Sequence, residues 1–366
     1  MRRGDSGSMI VHIIEKGAYA KDFTRFVERE YQELVQYVFV INREEKVDSI
    51  SFEGGCQTEI NLNHLEIFTK YSRKADRIII HGLFDFELFL WIWRHPFLWK
   101  KMVLSIWGGE LYIHQEIWGN HKTKIRSKVF DLFRGATFRR FHLFLNDMEE
   151  DFPLLKKWYG VSGRSIHVIY PPSIPKELLE SIIAYKKKRD ERAHITILLG
   201  NSATPSNQHI EVIRLLEKYR DRNLRILCPL SYGDSDYAKH VAKYGKEVFG
   251  KKFRALTKLL PSDEYAQAIS QVDVAIFNNN RQQAMANIAM TAMMGCKVYL
   301  RKDTVMWDQY VEKGLCGFSD IMRIEGFSWE EFIENKPEDV QRNISYFGKL
   351  WDMKHLKKMW DKILLD

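Results

Sequence analysis

The sequence predicts two α/β domains of similar size, each a parallel sheet crossed by helices. Short runs rich in Val, Ile and Phe alternate with longer helical patterns in both halves, and the break Tyr170-Pro171-Pro172-Ser173-Ile174-Pro175 separates the halves. The length of 366 residues leaves room for about two domains of roughly 100–200 residues. A content of 45% hydrophobic and 28% charged residues excludes a disordered or low-complexity chain.

In the first half, strands are predicted near Ile10–Ile14, Tyr37–Ile41, Arg77–His81, Met102–Trp107 and His142–Asn146, with helices at Asp22–Gln36 and Phe86–Trp93. The prolines then stop regular structure, and Lys186-Lys187-Lys188-Arg189-Asp190-Glu191-Arg192 reads as a solvated charge run, so 173–192 is taken as a linker between domains at 9–172 and 193–336. Beyond it, strands are predicted near Ile195–Leu199, Leu224–Pro229, Val272–Phe277 and Lys297–Leu300. Helices fall at His209–Tyr219, Tyr237–Val248, Asp263–Ser270 and Gln283–Met294. The tail 337–366 is amphipathic and expected to pack as helices across the domains. Met1–Ser8 (MRRGDSGS) reads as an expression leader, with the fold starting at Met9.

Cys56, Cys228, Cys296 and Cys316 lie far apart, with no CxxC or zinc-type spacing, which speaks against a disulfide framework or a structural metal and for a reducing cytoplasm. The run Phe84–Arg94 carries Asp85, Glu87 and Arg94, so no transmembrane helix is expected. The net charge of +8 is concentrated. Between Arg94 and Arg140 stand ten Lys and Arg against Glu110, Glu116 and Asp131. Directly before and within this stretch come Trp91, Trp93, Phe97, Leu98 and Trp99. The region Trp91–Arg140 is therefore either a contact for an anionic membrane surface or a core with a solvated basic face. No nucleic-acid motif accompanies the charge, and no nucleic-acid partner is expected.

Ligands of open α/β sheets bind at the carboxyl ends of the strands, so chemistry is sought in the loops there. Ile195–Leu199 runs into Gly200-Asn201-Ser202-Ala203-Thr204-Pro205-Ser206-Asn207. This loop either cradles phosphate with its backbone N–H groups or is an ordinary turn with Ser206 or Asn207 as N-cap. The second such loop, Asn278-Asn279-Asn280-Arg281-Gln282-Gln283, ends a buried strand in six polar residues that need hydrogen-bond partners. Its arginine suits a diphosphate, or the segment is a polar capping loop. In the first domain, His81-Gly82-Leu83-Phe84-Asp85 and Trp107-Gly108-Gly109-Glu110 combine glycine with an ionisable group at strand ends. His81 or Glu110 is read either as a general base or as a structural group, Glu110 then capping the next helix. The Asp234-Ser235-Asp236 triplet is read as a helix cap rather than a metal–nucleotide site.

These segments together resemble the bacterial 4-acetamido-4,6-dideoxygalactose (Fuc4NAc) transferases that use a lipid-linked acceptor. The resemblance runs through His81-Gly82 with Phe84, Ile106-Trp107-Gly108-Gly109-Glu110-Leu111-Tyr112, Gly200-Asn201-Ser202 with Ser206-Asn207 and His209-Ile210, Arg281-Gln282-Gln283, and Trp307-Asp308-Gln309. Glu110 stands where the family carries Asp. The resemblance implies a GT-B glycosyltransferase: two Rossmann-like domains facing across a cleft, with transfer by inversion. It implies no cofactor and no metal site, and a nucleotide-sugar donor with TDP favoured. It further implies a polyprenyl-diphosphate-linked saccharide acceptor and a peripheral place on the inner face of the cell membrane. Gly200, Asn201, Ser202, Asn207, Asn278, Asn279, Arg281, Gln282 and Gln283 would hold the donor diphosphate. Gly82, Trp107, Gly108, Gly109 and Tyr112 would lie on the acceptor side, and Glu110 would be the base, with His81 and Asp85 as alternatives.

Overall fold

The computed structural model describes residues 8–41, 57–60, 65–119, 123–172, 174–187 and 194–365. The expected leader lies, but for Ser8, outside them, as do Cys56 and most of the Lys186–Arg192 run. The chain forms two compact units, Met1–Ser173 with Asp352–Asp366, and Ile174–Trp351.

Unit 1 contains strands β1 (Met9–Glu15), β2 (Val35–Ile41), β3 (Gln57–Ile60), β4 (Arg77–His81), β5 (Met102–Ile106), β6 (Leu143–Asn146) and β7 (Arg164–His167). Its helices are α1 (Ala18–Glu30), α2 (Leu65–Lys74), α3 (Phe86–Arg94), α4 (Gly109–Gly119), α5 (Ile125–Phe138) and α6 (Asp151–Tyr159). The strands are all parallel in the order β3-β2-β1-β4-β5-β6-β7. Ile78, Ile79 and Ile80 of β4 are fully buried, as a parallel strand covered on both faces requires.

Unit 2 opens with α7 (Lys176–Lys187) and contains β8 (Ile195–Leu199), α8 (His209–Leu216), β9 (Leu224–Pro229), α9 (Ser235–Phe249), β10 (Phe253–Leu256), α10 (Ser262–Ile269), β11 (Val274–Phe277), α11 (Met285–Met293) and β12 (Lys297–Leu300). It continues through α12 (Val305–Trp307), β13 (Ser319–Asp320), α13 (Trp329–Ile333) and α14 (Pro337–Gly348). Its parallel sheet has the order β10-β9-β8-β11-β12-β13. The final helix, α15 (Met353–Leu364), returns to unit 1, where Leu356, Trp360 and Ile363 join Phe23, Phe26 and Val27 of α1 in one core. Trp360 Nε1 donates to Ile169 O at 3.0 Å, and Tyr31 Oη donates to Lys357 O at 3.0 Å.

Three expectations are corrected. The first helix is Ala18–Glu30, not Asp22–Gln36, because the apolar stripe Phe23-Phe26-Val27 ends there and Val35–Ile41 alternates as a strand. The 173–192 segment is not all linker. Leu179 and Ile182 lie on one side of α7 and are buried against unit 2, while the charged residues form the other side. The tail is not one layer across both domains, since α14 belongs to unit 2 and α15 to unit 1.

A polar chain crosses the core of unit 1. His12 Nε2 is 2.9 Å from Gln36 Oε1, and His12 Nδ1 is 3.0 Å from His81 Nε2. His81 Nδ1 is in turn 2.5 Å from Tyr170 Oη, which is also 2.8 Å from Ser105 Oγ. With Gln36 Oε1 accepting, His12 carries a hydrogen on Nε2, and burial disfavours a second proton on either ring. Burial lowers His12 to about 4 and holds His81 well below the ordinary histidine range. The unfolded chain therefore binds more protons than the folded one below the ordinary value of 6.5, and this contribution to stability is lost as pH falls from 6.5 toward about 4. Acids raised by burial, Glu110 and Asp151, act in the opposite direction, so the effect is read as a difference. The stability advantage of wild type over His12→Asn, measured by urea denaturation, is expected to shrink by about 3 kcal/mol between pH 7 and pH 4. A difference that stays constant over this range contradicts the neutral histidine chain.

Candidate active site

Each sheet reverses its strand order beside its first strand, between β1 and β4 in unit 1 and between β8 and β11 in unit 2. Loops leaving the carboxyl ends diverge at such a point and open a crevice for a ligand.

In unit 2 these are the two amide-rich loops that the sequence singles out. Gly200 follows β8 with a φ of 69°, and a Cβ there would strike His209 Nε2 and come within 2.8 Å of Asn207 Oδ1, so only glycine fits. Asn207 Oδ1 accepts from Asn201 N–H at 3.1 Å, and Asn207 Nδ2 donates to Thr204 O at 3.2 Å and to Ser202 Oγ at 3.3 Å. This corrects the expected N-cap. Pro205–Asn207 forms a 3₁₀ turn, Asn207 latches the loop, and α8 starts after Gln208. Gln283 joins the second loop to the first, accepting from Ser206 Oγ at 2.6 Å and donating to Ser202 Oγ at 3.1 Å and Asn201 Oδ1 at 3.4 Å. Asn278 Nδ2 donates to Glu211 Oε2 at 2.8 Å, and Arg301, from the end of β12, donates to Glu211 Oε2 at 3.1 Å and Asn278 Oδ1 at 3.4 Å. Arg281 is half-buried, and its Nη1 donates to Gln282 O at 3.2 Å.

Three features leave this site with unused hydrogen-bonding capacity. Among the described residues, both amide atoms of Asn279 and Oε1 of Gln282 are buried without a partner. His209 is the second feature. Its backbone N–H donates to Tyr237 Oη at 3.2 Å, and the same oxygen lies 3.2 Å from Nδ1, so the tyrosine engages that ring nitrogen. That Nε2 is buried over Gly200 with no partner among the described residues, and burial lowers the ring to about 4. Third, the described residues contain two non-glycine residues at positive φ, Gln208 (47°) and Ala284 (64°). Each is the N-cap of the helix that follows β8 or β11, and neither supplies a capping side chain. Left-handed backbone at a non-glycine residue is costly and gathers at functional sites.

Unit 1 gathers carboxyl groups instead. Glu110 Oε1 accepts from Trp107 N–H at 2.9 Å, the return bond of a helix cap, while Oε2 is buried without a partner. Tyr112 Oη donates to Asp151 Oδ1 at 2.7 Å, leaving Asp151 Oδ2 buried and unpartnered. Asp147, the first residue beyond β6, is half-buried, and its side chain has no hydrogen-bond partner among the described residues. Burial raises Glu110, Asp147 and Asp151 each to about 7. The Trp107 N–H opposes this at Glu110, and the Asp147 and Glu110 charges add to it at Asp151. Among the described residues no cluster of histidine, cysteine or carboxyl groups is arranged to hold a metal ion.

The remaining sequence candidates separate. His81 is fully buried with both ring nitrogens engaged, which makes it part of the core rather than a base open to substrate. Asp85 is half-exposed before α3. Gly82 and Gly109 were expected to admit a ligand, yet the Phe84 ring covers both, 2.6 Å and 3.1 Å from where their Cβ atoms would lie. Gly108 keeps a φ of 90°, which its turn requires. Of the two readings of the tryptophan run, membrane contact or core, the side-chain contacts favour the core. Trp91 is buried and donates to Thr69 Oγ1, Trp93 Nε1 donates to Thr137 Oγ1 and Trp99 Nε1 to Ile92 O, and the Arg140 guanidinium stacks on Trp93 and Trp99 at 4.7 and 4.8 Å. Asp234 caps α9 by accepting from the N–H groups of Asp236 and Tyr237. Sequence reasoning missed Asp147 and Arg301, and it named His209 only as part of the family pattern, without a role in the site. Asp147 follows a predicted strand and was within reach of the strand-end rule, whereas the other two are identified by partners distant in the chain.

Comparison with known proteins agrees with this layout. Over their full lengths the chain is similar to solved structures at low identity. A glycosyltransferase from Rickettsia africae aligns with TM-score 0.60 and 12% identity over 99% of both chains. The UDP-forming α,α-trehalose-phosphate synthase of Burkholderia vietnamiensis aligns at 0.66 and 9%, over 98% of this chain and 97% of that one. The sucrose-phosphate synthase of Thermosynechococcus elongatus aligns at 0.64 and 13%, over 98% and 96%. These likenesses establish the GT-B fold. The family model of the 4-alpha-L-fucosyltransferases, glycosyl transferase group 56, matches residues 33–327, and the chain belongs to this family of glycosyltransferases.

Proposed function

We propose that this glycosyltransferase moves a fucose-like deoxy-amino sugar of the Fuc4NAc type from a nucleoside diphosphate, TDP favoured, to a polyprenyl-diphosphate-linked saccharide. In this reading the transfer inverts the anomeric centre without a metal, at the inner face of the cytoplasmic membrane. The observation that carries it is the pair of left-handed N-cap residues, Gln208 and Ala284, which start the helices after β8 and β11 without capping side chains. Helix starts of this kind offer N–H groups to an anion, and they stand beside the unpartnered amide of Asn279 and the guanidinium of Arg281. The donor diphosphate bound there leaves as its negative charge grows, and these donors stabilise it. Asp234 is already spent on a helix cap and does not serve as a metal ligand in this reading.

Inversion in one displacement needs a group that takes the acceptor hydroxyl proton while the acceptor oxygen bonds to the anomeric carbon and the bond to the diphosphate breaks. Within the carboxyl cluster Asp147 fits this role better than Glu110. Glu110 is 2% exposed and holds the start of α4, whereas Asp147 is half-buried and its side chain has no hydrogen-bond partner among the described residues. Raised to about 7, it is a carboxylate in the upper part of the neutral range and a strong enough base to accept the proton.

Two experiments test the assignment. Asp147→Asn is expected to lower kcat by at least about 100-fold and to abolish a rise in kcat/KM with pH that is centred near 7, while Glu110→Gln keeps that rise. Loss of the rise in Glu110→Gln alone returns the role of base to Glu110, and a product that retains the donor's anomeric configuration, read by proton NMR, contradicts inversion. Arg281→Ala is expected to weaken nucleoside diphosphate binding at least about tenfold in calorimetry with an unchanged melting temperature. Equal affinity in the variant removes this loop from the donor site.

A further inference from the structure

We infer that α5 is the surface by which the protein rests on an anionic lipid bilayer, in place of the tryptophan run that the sequence suggested. This deepens the membrane part of the proposed function and rests on it. On α5, Ile125, Val129 and Leu132 follow one another at helical spacing on one face and are 80%, 59% and 61% exposed. The opposite face is buried through Asp131, Arg134, Thr137 and Phe138, so the rotation of the helix is fixed and the aliphatic face points away from the core of unit 1. Trp118 of α4 and Phe86 of α3 add further apolar surface, at 44% and 49% exposed. The Lys128 ammonium lies 5.3 Å from the Trp118 ring centre, and Phe86 packs against Phe130 at 5.8 Å.

On α5 itself the exposed charges beside this face are basic, while Glu87 of α3 and Glu116 of α4 are exposed near Phe86 and Trp118 in sequence. Lys124 and Arg126 are exposed beside Ile125, and Lys128 borders Trp118. The one acid of α5, Asp131, is turned inward. It accepts from Arg134 at 2.5 Å, Trp118 Nε1 at 3.0 Å and Tyr159 Oη at 2.8 Å, and it lies 2.7 Å from His114 Nδ1. That arrangement removes the acid from the surface and holds Trp118 in place. An apolar helix face rimmed by lysine and arginine, with its acid withdrawn, matches a bilayer whose headgroups are negative and whose acyl boundary accepts aliphatic side chains. Among the described residues no helix is long and apolar enough to cross a membrane, so attachment through this face is by adsorption in the proposed account.

The test is co-sedimentation of the full-length protein with vesicles of phosphatidylcholine alone or mixed with phosphatidylglycerol. Binding to the mixed vesicles is expected, weakened by salt, with far less binding to phosphatidylcholine alone. Ile125→Asp with Leu132→Asp, and separately Lys124→Glu with Arg126→Glu, are each expected to reduce binding at least about tenfold without changing the melting temperature, because these side chains are exposed. Phe97→Ser, in the tryptophan run, is expected to bind as wild type does. Equal binding by wild type and the α5 variants overturns the inference, as does no binding to the mixed vesicles. A wild-type dimer in analytical ultracentrifugation that the aspartate variant converts to monomer, without vesicle binding by either, assigns the face to a second copy and also overturns it. Transfer to a water-soluble acceptor is expected to be unaltered in the α5 variants. Vesicle binding without transfer to any acceptor would refute the proposed reaction and leave the lipid surface standing.

Discussion

The reversal of strand order beside the first strand of each sheet is the constraint on which the rest depends. Parallel strands are joined by crossover helices, and at β1–β4 and β8–β11 those helices lie on opposite faces, so the loops at the carboxyl ends part from one another. The strands themselves are apolar and buried. Apart from the His12–His81–Tyr170 chain inside unit 1, the polar loop side chains described above gather at these ends, where the proposed function places its ligands.

The two ends carry different electrostatics. In unit 2 the loop side chains other than Arg281 are neutral amides and hydroxyls, most of which bond to each other, with Arg301 offset by Glu211 and Asp303 nearby, and the capacity left over lies in the Asn279 amide, the acceptor Oε1 of Gln282 and Nε2 of His209. Neutral donors held in fixed positions stabilise an anion without having to reorganise. In unit 1 three carboxyl groups share a region of low polarity, which raises all three toward 7. In the proposed function, the site that receives negative charge and the site that receives a proton share one topology with different side chains.

The interior of both sheets is legible in the sequence. Arg77–His81, Ile195–Leu199, Leu224–Pro229 and Lys297–Leu300 are strands with the expected bounds, because central parallel strands are continuous apolar runs. Of the strands at the sheet edges, β7 (Arg-Ser-Ile-His) and β13 (Ser-Asp) are too short and too polar to stand out. The loop Asn278–Gln283 stood out because six polar residues after a buried strand need hydrogen-bond partners, whether in a polar cap or from a ligand. The choice between base and structural group at His81 was not legible in the sequence, because its surroundings are set by His12 and Tyr170, 69 and 89 residues away in the chain. The exposed face of α5 was hidden for a similar reason. Spacing reveals that Ile125, Val129 and Leu132 share a side, but only the fold shows that this side is turned to solvent.

The central claim is that unit 2 holds a nucleoside diphosphate through neutral donors, helix starts and Arg281, with no divalent ion. It is tested most directly by thermal stabilisation of the purified protein with TDP, UDP, GDP or NAD, each with and without EDTA. The account predicts that a nucleoside diphosphate, TDP foremost, raises the melting temperature and that EDTA does not reduce the shift. A shift that EDTA removes, or stabilisation by NAD and by no nucleoside diphosphate, would contradict it.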